Sequence, residues 1–188
     1  MLVVKVGGSL FSLPDLGDRL RAVLAAEGET DWLLVPGGGA AADAVRALDR
    51  WHRLGPARAH WLALRACTLN AWFLQALLPD SRVIADPAGC VGGCVLDPHA
   101  FAVADAARPG RGPPRWDATS DWVAARAAVV ARAGGRPVRL LLLKSVTIPP
   151  GASWEAAAAA GFIDAHLPGL LRRSELSARA VNLRARPG

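Results

Sequence analysis

Two short aliphatic runs near the N-terminus each end abruptly in glycine and lead into a helical pattern, and this arrangement restricts the fold more than any other feature. Val3–Val6 stops at Gly7 and Gly8, and Trp32–Val35 is followed by Pro36 and the triple glycine Gly37, Gly38 and Gly39. Runs of this length bounded by glycine read as buried strands. After the first, Ser12 and Pro14 signal a helix start, with Ser12 as the cap, and the helix is expected to run to about Gly28. After the second, Val45, Leu48 and Trp51 or His52 recur on one helical face.

A longer helical pattern spans Ala57 to Leu78, with Trp61, Leu64, Ala71, Leu74 and Leu78 near one face. Val83 and Ile84 form another strand, and the glycines from Gly89 to Gly93 break the pattern after it. The stretch from Asp105 to Arg115 is rich in proline, glycine and arginine and reads as a mobile loop near the site. Thr119 or Ser120 caps a helix through about Arg132, closed by Gly134 and Gly135. Val138–Leu143 is the clearest strand in the chain. An alanine-rich helix, a short helix from Pro168 and a strand near Ala178–Leu183 complete the chain. Strands alternating with helices predict an α/β three-layer sandwich around a mainly parallel sheet, with residues 1–188 as one domain.

Composition excludes several function classes. The longest aliphatic runs, such as Leu140–Leu143, fall far short of the roughly 20 residues of a transmembrane helix. No charged leader precedes the first strand, and Cys67, Cys90 and Cys94 are an odd number, so a reduced, cytoplasmic setting is expected. Cys90 and Cys94 flank a glycine-rich turn and lack the second ligand pair of a zinc site, so no metal site is expected. The net charge of +6 would suit nucleic acid, but the arginines are scattered except at the C-terminal end and no nucleic-acid module is present. A cleft for small anions explains the charge equally well.

One count points to chemistry. Of 22 basic residues only Lys5 and Lys144 are lysine, and each lies in or at the end of a hydrophobic strand. A lysine ammonium is a compact, movable point charge that fits beside a transferring phosphoryl group, where the broad guanidinium fork does not. Glycines after a strand let backbone N–H groups approach phosphate oxygens at the start of the next helix. Two such turns on adjacent parallel strands would face one crevice. Neither is a P-loop or a dinucleotide fingerprint. Asp121 in a first helical turn also complements the helix dipole, which is a structural role open to it.

Four blocks together resemble the amino acid kinase superfamily, which includes acetylglutamate, aspartate, carbamate and uridylate kinases. They are Val4–Ser9, Val35–Gly39, Thr119–Asp121 opening a helix with Ala124 and Ala125, and Leu140–Leu143 ending in Lys144. The resemblance implies the amino acid kinase (acetylglutamate kinase-like) fold and phosphoryl transfer from ATP, with magnesium arriving bound to ATP. In it, Lys5 and Lys144 would neutralise charge on the phosphoryl group, and Asp121 would hold both ammonium groups. Gly8 and Gly38 would donate N–H groups to that phosphoryl group, within a phosphate- and nucleotide-binding set of Gly7, Gly8, Ser9, Gly37, Gly38, Gly39, Thr119 and Ser120.

Further likeness in Ala42–Asp49, Ala59–Trp61 and Trp116–Asp121 is similar to the kinases of methanofuran biosynthesis. That implies a phosphorylated small-molecule acceptor, aminomethyl-furanmethanol phosphate, met by Arg46, His60 and either Asp43 or Asp117. A lone histidine among tryptophans is, however, more often a packed core residue than a ligand contact. The segment after Lys144, Ser145–Gly151, lacks the acidic residues usual in the superfamily, and 44 residues follow Lys144, implying a shortened C-terminal nucleotide half. A non-catalytic protein binding an anionic metabolite or nucleotide on the same fold is the alternative. The apolar side chains Trp61, Trp72 and Phe73 on the 57–78 helix point to a homodimer or higher homo-oligomer.

Overall fold

The computed structural model describes residues 1–108, 119–133 and 135–185. Its centre is a six-stranded sheet built from β1 (Leu2–Val6), β2 (Trp32–Pro36), β3 (Arg82–Ile84), β4 (Gly93–Leu96), β5 (Arg139–Lys144) and β6 (Ala178–Asn182). The strands lie in the order β3-β4-β2-β1-β5-β6, and every pairing is parallel. Parallel sheets need both faces covered, which is why β1 is apolar apart from Lys5 and β5 is apolar from Leu140 to Leu143. Leu140, Leu141, Leu142 and Leu143 are all buried, and each such side chain contributes about 1.5–3 kcal/mol.

Alternation along the strands sends successive side chains to opposite layers. Leu2, Val4 and Val6 pack with Leu141 and Leu143 against α1 (Leu16–Glu27) and the C-terminal half of α3 (Pro56–Leu77). Val3, Leu140 and Leu142 face the other layer, made by α5 (Ser120–Arg132), α6 (Trp154–Ala159) and α7 (Leu167–Ser174). The same parity puts Lys5, two residues beyond Val3, and Lys144, two beyond Leu142, on the α5 side. Lys5 sits opposite Leu142 in the parallel register, so both lysines emerge together at the carboxyl ends of neighbouring strands.

Local chemistry explains most boundaries. Gly28 closes α1 in the left-handed conformation, Pro56 opens α3, and the Thr119 hydroxyl caps α5 by accepting from the Asp121 N–H. The expected Ser12 cap is displaced. Gly8–Ser12 forms a 3₁₀ turn that buries Leu10, so α1 begins only at Leu16 and the Ser12 hydroxyl donates to Ser9 O. In α2 (Gly39–His52) the buried face is Ala42 and Val45, packed on Ala63 and Ala66 of α3; Leu48 and Trp51 are exposed, because the small residues already fill that contact. Asp105 ends α4 (Pro98–Asp105) and does not begin a loop. The rest of the expected loop, from residue 109, lies outside the described residues.

Asp105 also forms a buried two-bond pair with Arg126 of α5, at 2.9 Å from Nε and 2.8 Å from an Nη. Asp105→Ala removes that carboxylate from a guanidinium held out of water. Arg126 keeps a further interaction, so the loss is that of hydrogen bonds to a charged group, about 1.5–3 kcal/mol. Denaturant unfolding should therefore show a midpoint shift of that size; a shift below about 1 kcal/mol would reduce the pair to the worth of a surface contact. None of the described helices is long and apolar enough to cross a membrane.

Candidate active site

The carboxyl ends of β1 and β5 meet the N-terminus of α5 at a buried cluster of charge. Lys5 Nζ lies 2.8 Å from Asp121 Oδ1, and Lys144 Nζ donates to Asp121 Oδ2 at 2.5 Å. All three residues are less than a tenth exposed. Burial pushes the Asp121 carboxyl up, but the charges of Lys5 and Lys144 and their hydrogen bonds outweigh it and hold it below the usual carboxylate range. Lys144 is displaced below the usual lysine value by burial first and by the neighbouring Lys5 charge second, with Asp121 opposing both. The arrangement is one carboxylate gripping two ammonium groups at the mouth of a cleft of about 720 Å³.

The two glycine turns line the same cleft. They touch backbone to backbone: a methyl group at Gly8 would collide with the Gly39 nitrogen, and Gly39 itself has φ +48°, a conformation that favours glycine. Gly8, Ser9, Gly38 and Gly39 line the cleft with Thr119 and Ser120. Gly7 and Gly37 do not. Their N–H groups donate to Leu143 O at 3.0 Å and Val6 O at 2.8 Å, so they anchor the turns to the sheet. The N-termini of α2 and α5 both open on this cleft, adding helix-end N–H groups and positive dipole ends to the lysines.

The acceptor-side expectations divide. Arg46 and Asp43 line the cleft and are bonded to each other at 2.5 Å. His60 lines an annex of about 100 Å³ that also contains Arg46, Thr119, Ser120 and Cys67, and its ring meets Trp61 edge-on. Asp117 lies outside the described residues. The buried Cys67 thiol is pushed up to about 11 by loss of solvation, and Cys90 to about 12 by burial and the adjacent Cys94, so neither is primed as a nucleophile. No group of three metal-ligating side chains occurs among the described residues.

Two residues of the site carry no motif in the sequence. Asn70, in the middle of α3, donates to Gly37 O at 2.7 Å and Gly38 O at 2.8 Å. Those bonds fix the peptide planes of the second glycine turn. The one faint signal is an asparagine inside a long apolar helix, where it is a weak helix former. The other is Asp164, between α6 and α7, buried and lining the cleft beside Asp121.

An all-parallel six-stranded sheet with this cleft at the carboxyl ends of its central strands is the amino acid kinase fold, and α6, α7 and β6 are the elements that the described residues place after β5. Among solved structures, the crystal structure of uridylate kinase from Archaeoglobus fulgidus is similar to it, with a TM-score of 0.61 and 16% sequence identity over 96% of this chain and 89% of that chain. The sequence matches no protein-family model and no curated protein.

Proposed function

We propose that this chain is an ATP-dependent kinase that phosphorylates a small anionic acceptor, a phosphate monoester such as aminomethyl-furanmethanol phosphate. The carrying observation is the pair of buried ammonium groups held by one carboxylate in a cleft that two glycine turns also line. Phosphoryl transfer needs little covalent help and depends on preorganised positive charge and N–H donors around the moving group. An oxygen of the acceptor attacks the γ-phosphorus of ATP as the bond to the β,γ-bridging oxygen breaks, and ADP leaves with that electron pair. Lys5 and Lys144 stabilise charge on the phosphoryl group from the strand side. Gly8 and Gly38, with the first N–H groups of α2 and α5, would do so from the other. Asp121 is not a base, since both of its oxygens hold lysines.

The cleft carboxylates do not fit a protein-held magnesium site. Asp121 faces two lysines, Asp43 faces Arg46, and Asp164 accepts two backbone N–H groups. Magnesium is therefore assigned only to the phosphates of ATP, and no protein ligand to it is named.

Arg46 supports the monoester reading, since a guanidinium pairs with phosphate through two parallel bonds. The remaining arginines of that region, Arg50, Arg53 and Arg58, are exposed and line neither cavity. The amine of the acceptor would be met by Asp43 or Asp117. Exposed Leu69, Trp72 and Phe73 on α3 favour a homodimer through that helix, in a cytoplasmic setting where the three cysteines stay free.

A panel of acceptors with ATP and magnesium, monitored by ADP release, tests this reading. Aminomethyl-furanmethanol phosphate should be turned over in preference to acetylglutamate, aspartate and carbamate, with uridylate as a second monoester. Turnover of a free amino acid with none on any monoester would overturn the acceptor assignment. ATP binding without turnover of any acceptor would favour a non-catalytic binding protein.

A further inference from the structure

Asp164 sits where three parts of the site meet. Its Oδ2 accepts from the Thr119 N–H at 2.5 Å, at the cap of α5. Its Oδ1 accepts from the His166 N–H at 2.7 Å, just before α7. Its own N–H donates at 3.2 Å to Asp121 Oδ2, the same oxygen that holds Lys144. The residue is only 4% exposed. A buried carboxylate is costly unless bonded and balanced, and a neutral residue could cap these N–H groups more cheaply. A neutral residue could not, however, supply charge. Lys5 and Lys144 share the single carboxylate of Asp121, and Asp43 and Arg46, the other charged pair on the cleft, are paired with each other. Asp164 is thus the second buried carboxylate of a cluster containing two buried lysines.

We propose that Asp164 is a positioning residue for the cleft: it fixes Asp121, and through it Lys144, against the α5 cap and the 161–166 loop, and supplies the negative charge that balances the second lysine. Its effect on turnover rests on the kinase reading; its effect on Lys144 does not.

The two-lysine composition makes a direct test available. Protein labelled with ¹³C and ¹⁵N in lysine gives two side-chain signals, assigned by their loss in Lys5→Arg and Lys144→Arg. In Asp164→Asn the Lys144 signal should titrate about one pH unit below wild type, because a nearby opposite charge has been removed. Asp164→Glu keeps the charge but displaces the bonds, so Lys144 should titrate close to wild type. In both variants turnover with ATP should fall about 10²-fold, the cost of an ångström-scale misplacement of a reacting group, while KM for ATP changes little. An unchanged Lys144 titration in Asp164→Asn, accompanied only by a lower Tm, would reduce Asp164 to a loop staple and overturn the proposal. Failure of both variants to fold, read by circular dichroism, would do the same. If wild-type protein turns over no acceptor, the kinase reading fails while the lysine titrations still decide the role of Asp164.

Discussion

Arginine in place of Lys144, or of Lys5, should leave a folded protein whose turnover of ATP is lower by about 10²–10³-fold, the range for removing one preorganised stabiliser of developing charge. Each ammonium occupies a site less than a tenth exposed, between strand and helix, within ion-pair distance of Asp121. A guanidinium keeps the charge but is planar and wider, and it cannot place a single donor at the same point. Lys144 adds a pH signature. Burial and the Lys5 charge lower its pKa, and in the proposed reaction the protonated form is the one that meets phosphate. Turnover should therefore fall as pH rises through that lowered value, below the ordinary lysine range. Lys144→Arg should lose this alkaline limb along with most of its activity, since arginine stays charged throughout. ADP release across pH, with thermal unfolding as a control, measures both effects. Near wild-type turnover in either variant would remove that lysine from contact with the reacting group.

The legible part of this site is the part that strand parity and rarity determine. Lysine is so scarce that two positions stand out, and each lies in a run whose alternation fixes which layer it faces. Parity then brings Lys5 and Lys144 to one side of the sheet. The glycine turns are legible because backbone-to-backbone contact at Gly8 and Gly39 excludes any side chain. Gly7 and Gly37 look the same in the sequence, but their N–H groups extend the sheet, a distinction that only the register makes. Asn70 and Asp164 are not legible, because the bonds that tie Asn70 to Gly37 and Gly38 and Asp164 to Thr119 reach backbone groups more than 30 residues away. Such bonds leave no periodic trace. The Ser12 start of α1 fails for a local reason: burial of Leu10 in the 3₁₀ turn outweighs a capping signal. Strand β4 and helix α4 also escape the sequence reading, since Gly93–Leu96 is only four residues long and comes directly after a glycine-rich turn.

Asp121→Asn should have an effect as large as either lysine change and of a different kind. The helix-start reading of Asp121 makes asparagine an adequate replacement. In the structure, however, Thr119 is the cap, and the Asp121 carboxylate faces inward with an ammonium group at each oxygen. Asparagine keeps the shape, removes the charge, and turns an NH₂ donor toward one of two buried cations. Those cations then repel each other at short range, and Lys144, already lowered, should give up its proton at still lower pH. Turnover should drop about 10²–10³-fold or more, and stability at neutral pH should fall by about 3–5 kcal/mol unless deprotonation of a lysine relieves part of it. The acid side gives a second reading. The folded Asp121 pKa lies below the ordinary aspartate value of 3.8, so its contribution is complete above 3.8 and is lost as pH falls through the lower folded value. Wild-type unfolding free energy should therefore decline as pH falls below 3.8, while Asp121→Asn lacks that share of the decline. An inactive variant with a flattened acid limb supports a carboxylate that clamps two lysines. An active variant with wild-type stability would leave Asp121 as a helix-start residue, and the lysines would have to be held for phosphate by something else.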